Sequence, residues 1–155
     1  MENKPSLVLR HQNRVSRRAK VVGILPMLVL LASCSQPSVI SRDELHSILR
    51  SSISFTAEAE TSLDYVLQGR STQNFAAGHF HYMADELEQS VKQLNQSKPS
   101  PGTEQAFMNS LQDVKALASE LTAISFQTSD SNAICAAKKR IGEIRRALEK
   151  TSASL

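Results

Sequence analysis

The stretch Phe107 to Ile124, FMNSLQDVKALASELTAI, decides the fold. Phe107, Ser110, Val114, Leu117, Leu121 and Ile124 recur at alternating three- and four-residue steps, and Leu111 and Ala118 widen the stripe. At 3.6 residues per turn that spacing collects them on one face of a helix, which must be buried against something else. The rest of the chain supplies three partners of the same kind.

The first begins near Ser41, where a hydroxyl suited to an N-cap is followed by Asp43 and Glu44, acids that complement the positive end of a helix. Leu45, Ile48, Leu49, Ser52, Thr56, Ala59, Leu63, Val66 and Leu67 then form one stripe with small residues at its middle, opposite Glu58, Asp64 and Gln68. Gly69 is a natural stop, and Ser71 or Thr72 restarts the chain. The second helix, about Thr72 to Gln96, turns Ala76, His79, Phe80, Met83, Leu87, Ser90, Val91 and Leu94 inward and leaves Asp85, Glu88, Gln89 and Lys92 solvated. NQSKPSPG, Asn95 to Gly102, reads as a loop whose Pro101 suits the first turn of the next helix. In the last helix, capped by Ser129-Asp130-Ser131, Ile134, Ala137, Ile141, Ile144 and Leu148 repeat the pattern.

These segments predict an all-α protein, an antiparallel up-down-up-down four-helix bundle with helices at about 41–69, 72–96, 102–127 and 131–151, and a frayed tail at 152–155. A helical hairpin that dimerises is the competing architecture. Breakers are sparse after residue 34: Gly69, Gly78, Gly102 and Gly142, with Pro37, Pro99 and Pro101.

Ahead of the bundle lies Val21 to Cys34, VVGILPMLVLLASC. Lys4, Arg10, Arg14, Arg17, Arg18 and Lys20 precede it, with Glu2 as the only acid. Its apolar part, Val21 to Ala32, is twelve residues. As a helix that is about 18 Å, against a hydrocarbon core of about 30 Å, and Gly23 and Pro26 weaken it further. A charged start, a short apolar middle and small residues before Cys34 have the form of an export signal. Leu31-Ala32-Ser33-Cys34 resembles the lipobox of bacterial lipoproteins: an aliphatic residue, two small ones, then the cysteine. The resemblance covers about the first 35 residues. It implies cleavage between Ser33 and Cys34, a lipid thioether on Cys34, and further acylation, so that several chains hold the protein at a membrane. It implies a bacterial cell envelope address on the periplasmic face. Since Ser35 is not Asp, the outer membrane is favoured if there is one. Residues 1–33 are then signal, and 34–40 are lipidated cysteine plus a short tether.

Removing the signal reverses the charge. The whole chain carries +3, but residues 1–34 hold six basic side chains and one acid, leaving twelve basic and fourteen acidic, or −2. A nucleic-acid partner loses its support. What basicity remains is concentrated in the last helix, on Lys138, Lys139, Arg140, Arg145, Arg146 and Lys150, against Glu143 and Glu149; residues 41–130 carry −6. This face suits anionic lipid or an acidic envelope protein partner; equally, it suits the acidic faces of the neighbouring helices.

Ligand-capable side chains gather at Gly78-His79-Phe80-His81-Tyr82-Met83. On a helix His79 and His81 diverge by about 200° and cannot share one metal. Two co-facial sets remain: His79 with Met83 and Glu86, or His81 with Asp85. A His and a Met could hold metal or haem across a bundle. The other reading makes His79 a hydrogen-bonded core histidine beside Gly78, where a neighbouring helix packs closely. Signatures for Ser-His-Asp, His-Glu-x-x-His and phosphate-loop chemistry are missing from the sequence, so no enzyme is expected, and no cofactor beyond the lipid. With Cys34 lipidated, Cys135 is a lone thiol, read as a buried small hydrophobe unless it pairs between chains.

Overall fold

Side-chain caps open three of the helices. The structure, a computed structural model, describes residues 38–155. Helix α1 spans Arg42–Leu67, and its N-cap Ser41 accepts from the Glu44 amide at 3.1 Å. Helix α2 spans Gln73–Gln96, and its N-cap Thr72 accepts from the Phe75 amide at 3.3 Å. Helix α3 spans Glu104–Ser125, and its N-cap, Thr103, makes no such bond; α4, Ser131–Ala153, starts from Asp130, whose carboxylate accepts from the amides of Asn132 and Ala133. Gly69 stops α1 as its spacing predicts. It takes φ +67°, its N–H donates to the Val66 carbonyl, and the Arg70 N–H donates to Tyr65, a Schellman arrangement that satisfies the last carbonyls.

The four helices form an antiparallel all-α bundle. The α2/α3, α1/α4 and α3/α4 seams are extensive, and α1 meets α2 more sparsely. Leu45, Leu49, Leu63, Phe80, Met83, Leu87, Leu117, Leu121, Ile134 and Ile141 fill the centre with essentially no exposure. The stripe of α3 is buried as its spacing requires, with Leu111 half-buried at the edge. Ser52, Thr56 and Ser110 are buried without loss, because their hydroxyls donate to the carbonyls of Ile48, Ile53 and Ala106.

Several expectations are corrected. The tether does not run free to Ile40: Ser38–Ile40 is a strand, β1, paired in parallel with β2, Ser97–Pro99, in the segment read as a loop. The cause is Ile40, which at 1% exposure belongs to the core and draws the chain onto the domain. Pro101 does not open α3. It occupies the second position of a turn closed by the Thr103 N–H on the Ser100 carbonyl, with Gly102 at φ +84°, the conformation a type II turn requires. The tail is not frayed at 152: α4 continues to Ala153, Thr151 is buried, and Leu155 packs against the core. Leu67, the last residue of α1, falls on the exposed side. Cys135 is exposed, since the stripe of α4 passes through Ile134 and Ala137. The readings on the apolar run, on Ser33 and on Cys34 lie outside the described residues.

Candidate functional site

His79 is not a core residue. It sits on the rim of α2, about a quarter exposed, and its Nε2 lies 3.0 Å from Glu58 Oε1 on α1. Phe75, one turn earlier, stacks on the ring at 6.0 Å between centroids with planes 13° apart, and the Phe80 ring lies tilted to it at 6.5 Å. The contact with Glu58 ties the rim of α2 to α1. Gly78, expected at a close helix approach, is exposed, and an added Cβ there would meet nothing within 4 Å. The close approach lies elsewhere, at Gly142 of α4, where a Cβ would stand 3.1 Å from Glu60 Oε1.

The co-facial sets from the sequence have different surroundings. Met83 is fully buried in the core while His79 looks to Glu58, and Glu86 is half-buried on the rim. His81 and Asp85 face each other across one turn at 3.7 Å, both well exposed. Among the described residues no group of three or more His, Cys, Asp or Glu is placed to hold a metal ion.

The basic face of α4 divides in two. Lys138 donates to both oxygens of Asp64 at 2.5 and 2.7 Å. Arg140 makes a two-pronged contact with Glu120 on α3, at 2.9 and 2.6 Å, and that hydrogen bond raises the guanidinium pKa above its already high value. Arg145 reaches Glu60 at 2.6 Å, and its Nε is buried without a hydrogen-bond partner. These three bind α4 to α1 and α3. Lys139, Arg146 and Lys150 are exposed and make no ion pair among the described residues.

Sequence reasoning did not find an open groove between α2 and α3, about 710 Å³, walled by Val91, Lys92, Lys115, Ala118 and Thr122 and edged by Phe126, itself 80% exposed. Its one legible signal was an aromatic residue, Phe126, immediately after the last residue of α3. Phe75, at 70% exposure, is another large apolar side chain in water. Among the described residues no helix is long and apolar enough to cross a membrane.

Fold and surface together define a small all-α bundle stitched by interhelical ion pairs. Comparison of the chain with protein-family models, with curated proteins and with solved structures gives no match.

Proposed function

We propose that the chain is a lipid-anchored protein of the bacterial cell envelope whose bundle is a non-catalytic interaction or structural module. The observation that carries this reading is Leu31-Ala32-Ser33-Cys34 at the end of a twelve-residue apolar run behind six basic residues. The exposed Phe75 and Phe126 and the groove beside Phe126 support a protein partner in the envelope, since aromatic side chains in water favour contact surfaces. Lys139, Arg146 and Lys150, unpaired among the described residues, offer a smaller basic surface for anionic lipid than the sequence suggested.

Intact-mass measurement of protein from the membrane fraction tests the anchor. The expected species begins at Cys34 and carries acyl chains, and Cys34→Ala moves the protein out of that fraction. A chain that keeps residues 1–33 and carries no lipid would sink the reading. The interaction role is tested by crosslinking in intact cells: Phe126→Ser is expected to lose the adduct made by the native chain, and an unchanged adduct pattern for Phe126→Ser and Phe75→Ser would rule this surface out.

A further inference from the structure

Strand β1 shortens the connection between Cys34 and the domain. With Ser38–Ile40 paired to Ser97–Pro99, only Ser35, Gln36 and Pro37 separate the cysteine from the fold. Those four Cα-to-Cα steps reach about 14 Å at full extension, so whatever holds Cys34 also holds the β1–β2 ribbon near it.

The ribbon has two unlike sides. Successive strand residues alternate, so Ile40 points inward at 1% exposure and Val39 points outward at 63%. Register partners in a parallel pair project to the same side, and the partner of Val39 is Lys98, also exposed. The outward side therefore offers an apolar stub next to a long aliphatic stem ending in an ammonium. That pair suits a phospholipid interface: the branched side chain enters the zone between head groups and acyl chains, and the lysine stem lies along it with its charge on phosphate. The charges nearby are of both signs, and Asp43 in the first turn of α1 is exposed. Arg42 is exposed at the start of α1, Glu44 is turned to Gln93 at 2.6 Å, and Glu104 accepts from the Gly102 amide at 3.1 Å.

We propose that the outward side of the β1–β2 ribbon, Val39 with Lys98, is the surface by which the domain rests on the phospholipid head groups. The inference rests on lipidation at Cys34. One valine and one lysine are a weak contact alone, but a tether this short keeps them at a high effective concentration at the surface, so a weak contact is populated and fixes which side faces the bilayer.

The test uses the full chain, exported and lipidated in a bacterial host, with Cys135→Ser so that labelling is confined to one added thiol. A fluorophore is placed at Val39→Cys or, as a control at the far end of α3, at Phe126→Cys. The protein is reconstituted in vesicles of phosphatidylethanolamine and phosphatidylglycerol carrying a nitroxide head-group quencher. Quenching at position 39 is expected to exceed that at 126 at least threefold, and Lys98→Glu is expected to lower the quenching at 39 by half or more. Quenching at 39 that Lys98→Glu leaves unchanged, or equal quenching at 39 and 126, in protein whose mass shows the lipid overturns this inference and leaves the anchor standing. A mass without lipid on Cys34 overturns both.

Discussion

Helix α1 is flanked by α4 on one side and α2 on the other, and the two seams are joined by different means. Against α4, two ion pairs, Asp64 with Lys138 and Glu60 with Arg145, cross the seam, and the lack of a side chain at Gly142 admits Glu60 closely. Against α2, the bridges are Glu58 with His79 and Glu44 with Gln93, over a sparser contact. The first seam is matched in both shape and charge. In the second, α2 is held by its own apolar face on the shared core, and the polar bridges decorate the rim.

The largest test of this contrast is Phe80→Ala. If α2 depends on its apolar face, removing a side chain with 0% exposure costs about 3–5 kcal/mol in chemical denaturation. A loss no greater than that of His79→Ala would mean the bridges, and not the core, hold α2. Next come the two helical glycines. Gly78→Ala has open space, so it gains the helix preference of alanine, about 0.8–1 kcal/mol. Gly142→Ala gains the same preference but pushes on Glu60, so its midpoint rises less than that of Gly78→Ala. Equal gains would show that Gly142 does not set the α1/α4 distance.

Smaller effects separate the bridges. Double-mutant cycles should give about 0.2–1 kcal/mol for Glu58 with His79, whose carboxylate is half exposed, and a larger coupling for Glu60 with Arg145, which is better buried. The smallest effect concerns Asp113 on α3, where partial burial raises the carboxyl above its ordinary value, about 3.8. Folding then favours the protonated form, so the carboxylate destabilises the domain at neutral pH. Its cost appears as pH rises through 3.8 and is complete above the folded-state value. Asp113→Asn is expected to stabilise by on the order of 0.5 kcal/mol or less at pH 7, with the difference closing below pH 3.8. Thermal melts at the two pH values decide it.

Much of the fold was legible because helix caps and stripes are local. Ser41, Thr72 and Asp130 cap within three residues of themselves, and the Phe107–Ile124 stripe needs only its own period to specify a buried face. What was missed depends on residues far apart in the chain. Ser-Val-Ile has no alternation long enough to announce a strand, and its partner lies 59 residues away at Ser97. Nor does a sequence say that Glu58 rather than Glu60 or Asp64 meets His79, because side chains two residues apart on α1 point to different neighbours. The basic residues of α4 were visible as a group. Their division into three that tie helices together and three with no ion pair among the described residues follows from register across seams, which composition does not carry.

The parallel pairing of β1 with β2 also has a mechanical meaning. Because Ser38 stands beside Ser97 and Ile40 beside Pro99, tension along the chain from its N-terminal side is taken by the two-stranded ladder before it reaches the first turn of α1. Where that load acts along the strands, the ladder is sheared with its bonds strained together instead of being unzipped one at a time. Buried Ile40 adds friction to the same joint. The pull is passed to the link between α2 and α3, and the helix next in sequence is spared, so the bundle has a strain relief where a cable enters its housing.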